Sequence, residues 1–371
     1  MSIKRIAINT GGGDAPGLNA VIQSAVYAAR ARGWEIFGIR EGYNGVLEPQ
    51  RFRDGGVVPL DCDDVRDIAH LGGTILGTTN RGNPFRAVRT QPDGTQLEVD
   101  RSTELVEAFR TRGWDALIAV GGDGSLSIAQ QLVDKGLKII GVPKTIDNDL
   151  ESTLMTFGFD SAVSFATECI DRLHATADAH KRIIVVEVMG RYAGWIALNC
   201  GIAGRAQAIL IPEIPYDIEE VAERIMAREK WGASFSIVVV AEGAMPKDGK
   251  RHLIQEAHGG NVERLGGAAA AVSSQLGKLT KKETRSVVLG HLQRGGAPTS
   301  FDRVLASRFG GKAVQLLIDG DVDKMVAFHP PAIVGVPLES IVGRTKNVPL
   351  DSDLLATARA LGVSFGDNVP V

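Results

Sequence analysis

The stretch PKTIDNDL, residues 143–150, places Lys144, Thr145, Asp147 and Asp149 close together just after an apolar run. Two carboxylates beside a cation suit phosphoryl transfer to an alcohol. That reaction asks for positioning, charge neutralisation and a carboxylate that takes the hydroxyl proton. Asp147 and Asp149 both fit the last role, and spacing does not choose between them. The structural alternative is an Asx-rich turn that satisfies its own backbone. A further carboxylate, Asp123, lies inside the glycine run GGDGS, residues 121–125. Magnesium favours one or two carboxylates completed by phosphate oxygens, so Asp123 is the candidate metal residue. Gly121 to Ser125, and Gly11, Gly12 and Gly13 in the earlier run TGGGD, either let backbone N–H groups approach an anion or serve only as tight connections. Ser125 is also the best-placed cap for the helix expected to follow. Arg182, Arg191, Arg285, His291 and Arg294 lie at the ends of two later apolar runs, where guanidinium forks suit phosphate oxygens.

These residues need strands to carry them and turns to present them. IAIN, then TGGGDAPG, then a helical apolar period from Leu18 to about Ala31 gives strand, glycine turn and helix. WDALIAVGGDGSLSIAQQLVDKG repeats the pattern, with a strand from Ala116 to Val120 and a helix from Ser125 to Asp134. LKIIGVPKTIDND repeats it with variation. Beyond Gly158 the sequence predicts helices over about 161–177, from near Tyr192, over about 218–230 and around 268–276. Strands are expected at RIIVVEVM, AQAILIP, FSIVVVAEG and SVVLGH, and an exposed loop over 246–267. Alternating strands and helices point to α/β architecture with doubly wound, mainly parallel sheets. In such sheets ligands sit at the carboxyl ends of strands, where both glycine runs fall.

The whole chain narrows the class. At 371 residues there is length for about two domains. The net charge of -3, without a basic run, argues against a nucleic-acid partner and leaves anion binding to locally placed arginines. Cys62, Cys169 and Cys200 have neither disulfide-framework nor zinc spacing. No apolar run reaches membrane-spanning length, and MSIKRIAINTGGGD carries no secretion signal, so a cytoplasmic location is expected. There is no GxxxxGK[ST] motif, and GGGDAPG lacks the GxGxxG spacing of a dinucleotide fold.

In order along the chain, GGDAPGLNAVI, GGDGS, PKTIDND, the GFD near Phe157, RIIVVEVMGRYAG, ETRSVVLGHLQRGG and FDRVLASR resemble the phosphofructokinase family. The likeness runs to about Asp319. It implies two Rossmann-like doubly wound domains with an interdomain active-site cleft. Residues 1–158 plus about 293–345 would bind the phosphoryl donor, 159–292 the sugar phosphate, and 346–371 would form a C-terminal tail. The implied reaction is Mg²⁺-dependent phosphorylation of fructose 6-phosphate at its C1 hydroxyl, a step of glycolysis. The resemblance, unlike spacing, selects Asp147 as general base, with Thr145 beside the transferred group and Arg191 assisting. Asp123 would hold Mg²⁺. Gly13, Arg81, Gly122, Asp123, Gly124, Ser125 and Lys144 would contact the donor. Thr145, Asp147, Met189, Gly190, Arg191, Glu242, His291 and Arg294 would bind the sugar phosphate, joined by Arg182 and Arg285 across a subunit interface of a homotetramer.

Three positions refine this expectation. Gly124 matches ATP-dependent relatives, whereas pyrophosphate-dependent ones usually carry aspartate there. Lys144 matches the pyrophosphate enzymes. A lysine neutralises phosphate without excluding a nucleotide, while an aspartate would fill the space and repel the α-phosphate, so ATP is the expected donor. A pyrophosphate-dependent reversible phosphotransferase is the alternative, followed by a kinase of another sugar phosphate such as sedoheptulose 7-phosphate. The loop NRGNPFR offers Arg81 as the phosphate contact, with Arg86 as second choice. Gln23, Tyr27 and His174 replace arginines that bind a nucleotide effector in allosteric bacterial relatives, so weak or absent response to ADP and phosphoenolpyruvate is expected.

Overall fold

Strands form where β-branched residues run without a polar interruption. IIVVEV and SIVVVA are buried along their whole length, as strands covered on both faces must be. The computed structural model describes residues 3–91, 93–255 and 264–369. Part of the loop expected over 246–267, namely 256–263, lies outside the described residues.

The first elements are β1 (Arg5–Thr10), α1 (Leu18–Arg30), β2 (Glu35–Ile39), α2 (Asn44–Leu47), β3 (Val57–Leu60), α3 (Cys62–Val65), β4 (Ala87–Thr90) and β5 (Gln96–Val99). There follow α4 (Ser102–Arg112), β6 (Ala116–Gly121), α5 (Asp123–Val133), β7 (Ile139–Pro143), α6 (Phe159–His180), β8 (Ile183–Val188), α7 (Trp195–Ala203) and β9 (Ala208–Leu210). The remainder comprises α8 (Ile218–Lys230), β10 (Ser236–Ala241), β11 (Leu253–Gln255), β12 (Arg264–Leu265), α9 (Ala268–Thr280), β13 (Thr284–Val288), α10 (Ser300–Asp319), β14 (Lys324–His329), β15 (Ala332–Pro337) and α11 (Asp353–Ala360).

The chain divides into two units. The first runs to Thr145 and includes Leu150–Gly158 and Arg294–Arg344. Its seven-stranded sheet has the order β15-β14-β7-β6-β1-β2-β3. The pairs β1/β2, β1/β6, β6/β7 and β14/β7 are parallel, and only the edge pairs β2/β3 and β14/β15 are antiparallel. One apolar layer sets Ile6, Ile8, Ile118 and Val142 against α1 and α10. A second, with Leu117, Ile139 and Leu126, closes the opposite face. The two helices of the first layer meet closely at Gly310, where a Cβ would run into Ser24 and the Val21 carbonyl.

The second unit contains Ile146–Asp149, Phe159–Gln293 and the chain from Thr345 onward. Its sheet, β13-β8-β10-β9, is parallel throughout. Ile183, Val185, Val238 and Val240 pack against Ala269, Val272 and Leu276 of α9 and Val221 of α8. Residues after 345, expected as a separate tail, belong to this unit and contain α11. The Ser364 carbonyl accepts from Ile209 N at 2.9 Å, which ties that segment to β9. The mainly parallel α/β expectation is met in both units. α7 starts at Trp195 rather than near Tyr192, and α5 starts at Asp123, ahead of Ser125.

Candidate active site

In the first unit, β1 and β6 end side by side, so the glycine runs that follow them adjoin. Gly11 N donates to the Val120 carbonyl at 2.9 Å. Gly122 caps α5 and Asp123 is its first residue. Ser125, expected as the cap, lies inside the first turn instead. Its side chain faces Gly11 and Gly121, and a Cβ on Gly11 would come within 2.8 Å of Oγ. Glycine is therefore required in both runs to keep their backbones against Ser125.

Gly124 is different. A Cβ there meets nothing within 4 Å, and its φ is not in the left-handed region. Neither space nor backbone conformation demands glycine at that position; the space over it is open. Asp123 beside it is exposed at a helix N-terminus, where partial positive charge favours anions.

Lys144 directly follows β7 and is only 3% exposed. Its backbone N donates to Gly121 O at 3.0 Å, and its ammonium donates to the Gly13 carbonyl. A cation is thereby fixed inside the glycine cradle. Arg294 comes to the same turn: Nη1 donates to Asp14 O at 3.1 Å, and a Cβ on Gly13 would lie 2.6 Å from that nitrogen. The cradle is backed by the segment after Gly77. Gly12 N donates to Thr79 O at 3.1 Å, and Thr78 Oγ1 donates to Gly12 O at 2.5 Å. Arg81 follows, exposed, its N donating to Thr79 Oγ1 at 3.1 Å. Arg86 is also exposed, five residues further along in the short 3-10 turn Pro84–Arg86. Thr145 is buried, and its carbonyl accepts from Thr156 Oγ1 at 2.7 Å.

In the second unit, Asp147 is buried to 4% exposure in the turn Ile146–Asp149, and Ile146 packs at 0%. Met189, Gly190 and Arg191 follow β8. Gly190 has φ 134°, which suits only glycine, and Arg191 has φ 50°. The turn is held by Glu242, whose Oε1 accepts from Arg191 N at 3.1 Å, while Glu242 N donates to Val188 O at 2.9 Å. Four expected residues, Met189, Gly190, Arg191 and Glu242, thus meet at the ends of β8 and β10. Arg182 and Arg285 also converge, and the carboxylate they share was not foreseen. Glu283 Oε1 lies 3.6 Å from Arg182 Nη2 and 2.5 Å from Arg285 Nη2. His291 is exposed in the 3-10 turn Gly290–Arg294.

Sequence reasoning missed several residues that orient these turns. Glu187, 3% exposed in β8, accepts from Ala269 N at 2.8 Å and so anchors the start of α9. Glu213 accepts from Gly194 N and from Val348 N, both at 2.9 Å. Burial pushes its carboxyl above the usual range, against those two hydrogen bonds. Lys346 bonds to Asn148 and Asp149. A buried strand-end glutamate was the available signal for Glu187; nothing local marked Lys346. Among the described residues no group of three or more His, Cys, Asp or Glu could hold a metal ion, and no helix is long and apolar enough to cross a membrane.

Comparison with known proteins gives the same direction. The family described as "Phosphofructokinase" matches residues 5–317. An ATP-dependent 6-phosphofructokinase of Chloroflexus aurantiacus is 49% identical over 368 residues, covering 99% of both chains. A pyrophosphate--fructose 6-phosphate 1-phosphotransferase of Amycolatopsis mediterranei is 47% identical, covering 94% of this chain and 97% of its own. Among solved structures, Pichia pastoris phosphofructokinase in the T-state aligns with TM-score 0.78 and 30% identity over 97% of this chain, which spans 36% of that longer one. A pyrophosphate-dependent phosphofructokinase from Marinobacter aquaeolei shares the fold, with TM-score 0.77 and 22% identity over 100% of this chain and 95% of its own.

Proposed function

This chain belongs to the phosphofructokinase family, and from that premise we propose that it phosphorylates fructose 6-phosphate at the C1 hydroxyl, with MgATP as donor. Asp147 accepts the hydroxyl proton as O1 attacks the γ-phosphorus. The bond from that phosphorus to the β–γ bridging oxygen breaks, and ADP leaves. Lys144, fixed against Gly13, and the exposed Arg81 neutralise donor phosphates, while Gly13, Gly122, Gly124 and Ser125 line the donor's path. Thr145 positions the transferred group. Met189, Gly190, Arg191, Glu242, His291 and Arg294 hold the sugar phosphate, with Arg182 and Arg285 supplied across a subunit interface. A cytoplasmic homotetramer is the setting this reading expects.

The donor set fits Mg²⁺. One exposed carboxylate, Asp123, at the start of a helix and beside glycine turns is what a magnesium ion held chiefly by phosphate oxygens and water requires. The ion would supply charge neutralisation on the donor phosphates.

The observation that carries the choice of donor is the open space at Gly124. Glycine is not needed there by the fold, so its value lies in what it leaves empty, and a nucleotide uses that room. Pyrophosphate stays as a second reading because Lys144 and the 47% identical Amycolatopsis relative favour it. The test is fructose 1,6-bisphosphate formation by purified protein with ATP and pyrophosphate side by side, with Mg²⁺. Faster turnover with ATP is expected, and turnover with pyrophosphate far above that with ATP would overturn the choice. Asp147→Ser should lower kcat by about three orders of magnitude while sugar-phosphate binding changes little, because the carboxylate acts in the transition state.

A further inference from the structure

The turn that carries Asp147 contains a strained residue. Asn148 has φ 52°, a left-handed conformation that Asn tolerates and that surrounding contacts must hold. Those contacts come from the end of the chain. Lys346 N donates to the Asp149 carbonyl at 2.8 Å, and Lys346 Nζ donates to Asn148 Oδ1 at 3.0 Å. The Lys346 carbonyl accepts from Trp195 Nε1 at 2.7 Å, and its ammonium lies 5.6 Å from the Trp195 ring. Two residues on, Val348 is buried to 2% and its N donates to Glu213, which also receives Gly194 N.

One residue therefore uses its N–H, its carbonyl and its side chain at once, with two of the three directed at the turn of the base. The partners, Trp195 and Gly194, begin α7, immediately after the Met189–Arg191 turn. Nothing in this arrangement is needed to close the sheet, whose strands β8, β9, β10 and β13 pair without it. We infer that the segment from Thr345 to Val348 is a strap for the catalytic turn and that Lys346 is a positioning residue, fixing Asn148 and Asp149 so that Asp147 is presented to the acceptor hydroxyl. The inference rests on the role proposed above for Asp147.

Its effect falls on the chemical step. An error near 1 Å in the placement of a reacting group costs on the order of 10²-fold in rate. Lys346→Met keeps the aliphatic stem and removes the ammonium. Its kcat with fructose 6-phosphate should fall about 10- to 100-fold, with KM for both substrates within about twofold of wild type. Lys346→Arg, which keeps a cationic donor, should recover most of that loss. Trp195→Phe removes the donor to the Lys346 carbonyl and should give a smaller loss that is not additive with Lys346→Met.

Amide hydrogen exchange on the full chain supplies a readout independent of turnover. In Lys346→Met the amides of residues 147–150 should exchange several-fold faster while those of β7 and β8 do not. Unchanged exchange at 147–150, kcat within twofold of wild type, or a kcat loss that tracks a general fall in Tm would each overturn the strap. Wild-type protein inactive with both donors would instead overturn the proposed function, and the exchange experiment would still decide whether Lys346 holds the turn.

Discussion

Replacing Gly124 by Asp separates the fold's needs from the donor's. The position is the second of α5, with an ordinary helical φ and no atom within 4 Å of a built Cβ, so the side chain enters without displacing anything. Glycine is a poor helix former, and an anion in the first turn is favourable by about 0.3–1 kcal/mol, so stability should hold or rise slightly. Donor binding should move the other way. Two unit charges about 5 Å apart interact by about 3 kcal/mol at an effective dielectric near 20. The residue is exposed, and screening removes roughly half, leaving about 1.5 kcal/mol against the α-phosphate of ATP, or about tenfold in kcat/KM. The bulk of the side chain in the nucleotide's path adds to that figure. Pyrophosphate has no α-phosphate and should lose less than about twofold. The assay is kcat/KM for each donor at saturating fructose 6-phosphate, with Tm measured on the same preparation. A folded variant whose ATP kcat/KM stays within twofold of wild type would refute the steric and electrostatic reasoning together.

Glu283→Gln removes the carboxylate that both Arg182 and Arg285 face. These are partly exposed pairs worth about 0.2–1 kcal/mol, so releasing the guanidinium groups should lower KM for the sugar phosphate up to about fivefold; an unchanged or higher KM would show that Glu283 supports the arginines rather than competing for them. ADP and phosphoenolpyruvate should each change the rate less than about twofold at subsaturating fructose 6-phosphate. Two of the three residues expected to replace effector-binding arginines make internal hydrogen bonds: Gln23 donates to the Val65 and Arg66 carbonyls at 2.7 and 2.8 Å, and His174 Nε2 pairs with the Gly204 carbonyl at 2.7 Å. A several-fold response to either compound would contradict this.

What was legible in the sequence was local. β6, β8, β10, α1 and α8 announce themselves because a fully buried strand leaves an unbroken β-branched run and an amphipathic helix leaves a 3.6-residue period. The glycine runs were legible as tight turns after strands, where glycine lets the backbone approach its neighbours closely. Ser125 went wrong for a local reason too. Gly122 takes the cap and lets the helix begin two residues early, so the serine side chain turns toward Gly11 and Gly121 instead of capping. β14 and β15 were not foreseen, because their place is set by β7, a strand far earlier in the chain.

Lys346 marks the limit of such reading. It is 198 residues from Asn148, and nothing in RTKNV distinguishes a positioning lysine from a solvated one. The motifs that carried the resemblance end near Asp319, so the last part of the chain offered none to carry over. Yet the turn bearing Asp147 belongs, by its contacts, to the same unit as that last part and not to the strand that leads into it. Asp147 follows β7 closely in the chain. Asn148 is left-handed, a conformation that strand pairing does not fix. The turn that carries the two carboxylates of PKTIDNDL is therefore bonded by a residue that no local pattern reveals, which is why its geometry could not be read from the segment alone.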